Sequence, residues 1–370
     1  MEKLTPPTRL LLGPGPSNVS QRVLDAMHLP LIGHLDPAFL EIMDSVQAQL
    51  RNLFGTTNEF TLPLSATGSA GMEACFVNLL EAGDRVVVGV NGVFGTRMCE
   101  VARRCGAEVT AVEAEWGTAL DPAKMAAAIE ATQPHVVAFV HAETSTGVCQ
   151  PVEEITKAAK AAGALTILDC VTSLAGIPLH IDEWQVDAVY SGTQKCLSCP
   201  PGLSPVSFSP QALERVAKRK TPVQSWYLDT SLLGSYYGGG KRAYHHTAPI
   251  SAIYAIYEGL RIVEEEGMEA RSERHYKAAA SLIDGLAPLG LSPLVEEKVR
   301  LPMLTTVRLP DAMQGEPEAE LRSKLLKEYN VEVGGGLGAL AGKVWRIGLM
   351  GENAKLEKVA RLISVLKKAL

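Results

Sequence analysis

The sequence predicts an α/β fold with a mainly parallel central sheet, helices on both faces, and a smaller α+β domain after it. Between about residue 60 and residue 208, short β-rich runs alternate with helical patterns, as strands joined by crossover helices do. Beyond Pro249 the pattern changes to two long helices followed by short strands. A chain of 370 residues, 46% of them hydrophobic, can bury more core than one domain usually holds, so two domains are expected.

Taken in order, strands are predicted at 85–90 (RVVVGV), 107–112 (AEVTAV), 135–142 (HVVAFVHA), 164–169 (ALTILD), 187–192 (DAVYSG) and 203–209 (LSPVSFS), each short and rich in β-branched residues or aromatics. Helical patterns fall between them, among them 72–81, 122–132 and 151–162. Residues 234–240, which end in three consecutive glycines, read as a loop crossing from one domain toward the other. Helices are expected next at 251–266 and 271–286, then strands at 304–309, 331–334 and 344–349, and a closing helix at 356–370. The resulting division is an N-terminal segment over 1–20, a large domain over 21–250 and a small α+β domain over 251–370.

Lys and Arg number 35 against 41 Asp and Glu, a net charge of −6 with neither sign gathered into a block. Neither nucleic acid nor an anionic membrane is an expected partner. The seven cysteines form an odd set in a large chain without a readable signal peptide, and no stretch approaches the ~20 apolar residues of a membrane span. The expectation is a cytoplasmic protein with reduced thiols.

Ligands of a parallel α/β sheet gather outside the carboxyl ends of its strands. Small residues at 66–71 lead from a strand through Thr67, Gly68 and Ser69 into a helix, where backbone N–H groups and the helix dipole suit an anion such as phosphate. A plain tight turn explains the same residues. Neither common competitor is complete: Thr67 takes the first glycine position of G-x-S-x-G, and Lys343 is followed by Val344 rather than Ser or Thr. Asp169 ends an apolar run, where a lone carboxylate is costly to bury. It is either a turn residue or the partner of a protonated pyridine nitrogen. Lys195, in SGTQKCLSCPPG, is either a solvated lysine or, in an enclosed site, a Schiff-base nucleophile and general base. The adjacent Cys196 and Cys199 form a C-x-x-C, which offers a redox or metal alternative, but no second pair follows and Pro200-Pro201 makes a turn the simpler account. Arg346 alternates with apolar neighbours on a strand, so its planar fork serves a substrate carboxylate or a structural ion pair.

The segments LLGPGPSNV, GHLDPAFLEIMD, SATGSAGMEA, NGVFGTR, ETSTGVCQP, LDCVTSLAG, YSGTQKCLSCPPG, YHHTAPISAIY, VGGGLG and VWRIGLMG span nearly the whole chain. In that order they resemble the class V aminotransferases of PLP fold type I, in the alanine–glyoxylate, serine–glyoxylate and serine–pyruvate branch. The resemblance implies a homodimer that uses pyridoxal 5′-phosphate, with the N-terminal segment near the dimer interface and the large domain binding the cofactor. Lys195 would be the Schiff-base lysine and Asp169 the pyridine-nitrogen partner. Thr67, Gly68, Ser69 and Gln194 would bind the phosphate, and Thr144 the phenolic oxygen. Val171 and Phe94 would cover the two ring faces. Tyr244 and Thr247 would reach the phosphate of the neighbouring subunit, and Arg346 would clamp the substrate carboxylate. Two departures stand out: Phe94 where relatives carry tryptophan, and Ser69 where some carry histidine.

The implied reaction is a two-step transfer of an amino group from alanine or serine to glyoxylate or pyruvate. A 2-aminoethylphosphonate aminotransferase or a PLP-dependent lyase shares the same core chemistry, and a non-catalytic binding protein on this fold is the alternative of another class. A cysteine desulfurase would need a late catalytic cysteine, and none follows Cys199.

Overall fold

The computed structural model describes Met1, residues 3–238 and residues 242–370. Along the chain its strands are β1 (Leu10–Leu12), β2 (Phe60–Leu64), β3 (Arg85–Val90), β4 (Glu108–Glu113), β5 (Val136–Val140), β6 (Ala142–Glu143), β7 (Val148–Cys149), β8 (Leu165–Asp169), β9 (Ala188–Tyr190), β10 (Ser204–Phe208), β11 (Ser292–Pro293), β12 (Leu304–Arg308), β13 (Val331–Gly335) and β14 (Val344–Gly348). The α-helices are α1 (Gln21–Met27), α2 (Pro37–Phe54), α3 (Gly68–Leu79), α4 (Val93–Arg104), α5 (Pro122–Thr132), α6 (Glu153–Ala161), α7 (Pro210–Ala217), α8 (Thr230–Tyr237), α9 (Ile250–Glu266), α10 (Met268–Leu286), α11 (Glu316–Tyr329) and α12 (Leu356–Ala369).

The large sheet runs β2-β10-β9-β8-β5-β3-β4. Only β10 is reversed, antiparallel to both β2 and β9, while the other neighbouring pairs are parallel. Strands such as β5 (VVAFV) are buried at every residue because helices cover both sheet faces. Their register sets Val140 beside Asp169 and Asp169 beside Tyr190, so three carboxyl ends finish level at one rim.

The small sheet runs β1-β13-β14-β12-β11, with β1 parallel to β13 and the remaining pairs antiparallel. The described residues form two apolar cores. The larger joins Phe39, Met43 and Leu50 of α2, the central strands, and Ile253, Ile256 and Leu260 of α9. The smaller joins Leu10 and Leu12 to Leu282, Leu286, Val331, Trp345 and Ile347. β1 therefore completes the small domain's sheet before the chain enters the large domain.

Two local expectations change. α3 starts at Gly68, so the small residues of 68–71 form its first turn rather than a loop ahead of it. Gly234 lies inside α8, whose first turn is capped by the Asp229 side chain accepting from Ser231 N–H at 2.9 Å. The rest of the 234–240 loop expectation falls partly on residues 239–240, outside the described residues. Among the described residues, no helix is long and apolar enough to cross a membrane.

Candidate active site

A cavity of about 200 Å³ opens at the carboxyl rim of the large sheet. Gly68 and Ser69 enter it from the first turn of α3, Phe94 and Arg97 from α4, and Thr144 from the β6–β7 turn; Asp169, Val171, Tyr190, Gln194 and Lys195 complete its wall. The parallel register thus gathers groups more than a hundred residues apart.

Asp169 Oδ2 accepts the Tyr190 hydroxyl at 2.7 Å and Oδ1 accepts Val171 N–H at 2.8 Å. Burial pushes its carboxyl up to about 7, against these two hydrogen bonds, which favour the ionised form. A cationic ring nitrogen is the kind of group such a carboxylate would hold. Lys195 Nζ donates to the Pro14 carbonyl. Burial is the main cause that pulls its ammonium down to about 8; Arg346 acts the same way, and Cys196 and Asp169 oppose it. A substantial neutral fraction near pH 8 follows, as a nucleophilic and proton-accepting amine requires.

The N-terminal segment closes over this lysine. Ser17 Oγ donates to the Lys195 carbonyl at 2.8 Å and Ser17 N–H to the Gln194 carbonyl at 2.9 Å. Gly15 has φ +104°, which favours glycine, and a Cβ there would stand 2.5 Å from Lys195 Nζ and push the lysine side chain aside.

Arg346 comes from β14 of the small domain. Its Nε donates to the Gly335 carbonyl at 2.7 Å and its Nη1 to the Thr144 carbonyl at 3.2 Å, which carries the guanidinium across to the large domain. Arg346 lies in no ion pair among the described residues, so the structural-salt-bridge alternative has no partner there. The C-x-x-C alternative also lapses: Cys196 Sγ donates to the Thr172 carbonyl and Cys199 Sγ to the Ala255 carbonyl, each bonded away from the other.

The residues present fit pyridoxal 5′-phosphate. Thr67 is the N-cap of α3 yet makes no side-chain capping bond, and Gln194 Oε1 is buried without a partner. The Thr67 hydroxyl is thus free to donate at the helix start where the phosphate would sit, and the Gln194 amide lies in the same cavity without a partner for its oxygen. Tyr244 and Thr247 are not in this cavity: both are exposed, and their hydroxyls lie 3.5 Å apart. Residues that the sequence reading did not single out are Tyr190, Glu143 and the Pro14–Gly15 pair. A tyrosine at the end of a buried strand needs a hydroxyl partner, and that signal could have exposed Tyr190.

Residues 9–361 match the family described as aminotransferase class-V. The chain is 41% identical to the alanine–glyoxylate aminotransferase of Drosophila melanogaster, over 98% of this chain and 93% of that protein. It is 37% identical to the (S)-ureidoglycine–glyoxylate transaminase of Bacillus subtilis, over 100% of this chain and 92% of that one. The solved structure of alanine–glyoxylate aminotransferase from Nostoc sp. superposes with a TM-score of 0.97 at 47% identity, covering 100% of this chain and 97% of that one. The fold is accordingly that of the type I PLP enzymes. With this cavity and these relatives, the chain belongs to the class-V aminotransferases and is a pyridoxal 5′-phosphate-dependent transaminase.

Proposed function

We propose that this transaminase moves an amino group from alanine or serine to glyoxylate or pyruvate, with glyoxylate the favoured acceptor. The observation that carries the substrate reading is Arg346, which is in no ion pair among the described residues and donates to the carbonyl of Thr144, a residue of the cavity wall. The cofactor would take up the cavity itself, and the Arg346 guanidinium beside the Thr144 wall suits the carboxylate of an amino or 2-oxo acid. The relatives named for alanine–glyoxylate and ureidoglycine–glyoxylate transfer support glyoxylate as the shared acceptor.

When bound, pyridoxal 5′-phosphate supplies the electron sink for the substrate carbanion. In this reading Lys195 would be the lysine that holds the cofactor, and its amine would take the substrate's α-proton and return it. Asp169 keeps the ring nitrogen protonated, and Tyr190 holds the Asp169 carboxylate in place. Thr67, Gly68, Ser69 and Gln194 bind the phosphate, and Thr144 contacts the phenolic oxygen. Phe94 and Val171 cover the two ring faces. Arg346 orients the substrate so that the α-proton bond stands across the ring plane.

The enzyme acts as a homodimer in which Tyr244 and Thr247 reach the neighbouring phosphate. In support, Tyr244 is 63% exposed and lies edge-on to His34, in a segment that also carries the exposed Leu31 and Leu35. All seven cysteines are free thiols, which fits a cytoplasmic setting. The test is a single-turnover panel of alanine, serine, (S)-ureidoglycine and 2-aminoethylphosphonate against glyoxylate and pyruvate. Alanine or serine with glyoxylate should be fastest. Preference for the phosphonate, or elimination in place of amino transfer, would overturn the assignment.

A further inference from the structure

Glu143 is fully buried at the end of β6, yet it has no cation within ion-pair distance among the described residues. All the hydrogen bonds to its carboxylate come from donors. Oε1 accepts Ser145 N–H at 3.0 Å and the Ser145 hydroxyl at 2.6 Å, and Oε2 accepts Phe94 N–H at 3.1 Å. Ser145 Oγ in turn accepts Val93 N–H at 2.9 Å.

These two amides open α4, where a helix leaves N–H groups without partners of its own. Such groups are normally met by a side chain at the N-cap, but here the N-cap is Gly92, which has none. A Cβ on Gly92 would stand 2.5 Å from Glu143 Cδ and would also press on Ser145 Oγ. Glycine therefore leaves the space that the two distant side chains occupy. Burial pushes the Glu143 carboxyl above the ordinary range, and the donors around it act in the opposite sense. Thr144, between the two capping residues, holds Arg346 through its carbonyl.

We infer that Glu143 is a positioning residue of this transaminase: together with Ser145 it caps α4 from outside the helix and so fixes Phe94 against the cofactor ring. The inference rests on the reading of Phe94 as a ring-face residue. Glu143 itself touches neither cofactor nor substrate. Its carboxylate ties the β6–β7 turn, which carries Thr144, to the helix that carries Phe94 and Arg97.

The test uses the full chain and reads amide hydrogen exchange at residues 93–95 without cofactor, together with the equilibrium Kd for pyridoxal 5′-phosphate. Glu143→Ala should speed exchange there and weaken cofactor binding, each on the order of tenfold, the size of one lost helix cap. Adding Gly92→Ser together with Ser145→Ala, which also clears the Ser145 Oγ that a Cβ at position 92 would meet, supplies a local cap on extended backbone with φ 171° that any residue adopts, and should restore both readouts. Gly92→Ala in the same background fills the space without a hydroxyl and should restore neither. Glu143→Gln keeps the shape but turns an amide donor toward one of the N–H groups, so it shows the same defect in milder form should the alanine variant not fold.

Unchanged exchange in both Glu143 variants, or equal recovery with serine and alanine at position 92, would overturn the inference. Phe94→Ala separates it from the reading on which it rests. If that variant weakens the cofactor while Glu143→Ala does not, the positioning role alone falls. If neither weakens it, the assignment of Phe94 falls as well.

Discussion

Burial of the Asp169 carboxylate opposes folding while it prepares the site. Its folded value of about 7 stands above an ordinary 3.8, so between those pH values the folded chain binds more protons than the unfolded one. Stability of the cofactor-free protein therefore falls as pH rises from about 4 to about 7 and changes little above, as far as this group is concerned. Asp169→Asn removes that cost, and Tyr190 can turn its hydroxyl to accept from the new amide. The cofactor-free variant should melt higher than the parent at pH 8, by an amount on the order of a few kcal/mol that shrinks toward pH 4. Turnover should drop strongly, with the loss in α-proton removal, because a neutral amide does not hold a ring nitrogen protonated. A melting difference independent of pH would count against the buried charge as its cause. Arg346 makes a complementary case. Arg346→Lys keeps the charge but loses the bonds to Gly335 and Thr144, and with them the planar fork that the proposed carboxylate clamp relies on. Its kcat/KM for alanine and glyoxylate should fall, by less than the ~2–5 kcal/mol of removing a buried charged partner outright. An amine without a carboxylate should lose little. Equal losses for all three would reduce Arg346 to a structural role.

Among the elements, α5 shows what a local signal can specify. Asp121 accepts Ala123 N–H at 2.9 Å, Pro122 follows at the first helical position, and the helix occupies the predicted 122–132. Asp121→Ala should lower the melting free energy by about 1 kcal/mol and leave kcat/KM unchanged, since the cap is exposed and remote from the cavity. A change in kinetics would mean that α5 is coupled to the site. The same kind of signal brackets α2, with Asp36 and Pro37 at its start and Gly55 in the left-handed region at its end, though the sequence reading assigned no helix there. β3, β5 and β8 were legible because strands buried on both faces are continuous apolar runs. β1 was not, because a run of three leucines becomes a strand only by pairing with β13, over three hundred residues later. The site divides on the same line. Asp169 ends one predicted strand and Lys195 follows another, so their positions can be read along the chain. Glu143 acts on α4 and Pro14 on Lys195 only through space, and nothing local marks either contact.

At the scale of the whole molecule, the question is whether one chain holds a complete site. Tyr244 and Thr247 are exposed and do not line the cavity of their own chain, and in a two-fold dimer each surface patch meets its own copy or a neighbouring patch. If they complete the neighbour's phosphate site, damage to Lys195 and damage to Tyr244 and Thr247 belong to different sites of a mixed dimer. Lys195→Ala alone should abolish transamination, and the double variant Tyr244→Ala with Thr247→Ala should lose most of it through weaker cofactor binding. Mixed after dissociation and reassociation, the two inactive proteins form hybrids. One hybrid site then carries every lesion, while the other has an intact Lys195 from one chain and intact Tyr244 and Thr247 from its partner. Random reassortment makes half the dimers hybrids with one good site in two, so activity should return to about a quarter of the parent. Sedimentation before and after mixing checks that the dimers re-form. Dimers that reassort without any return of activity would place Tyr244 and Thr247 in their own chain's site or in none, and would separate dimer formation from the composition of the active site.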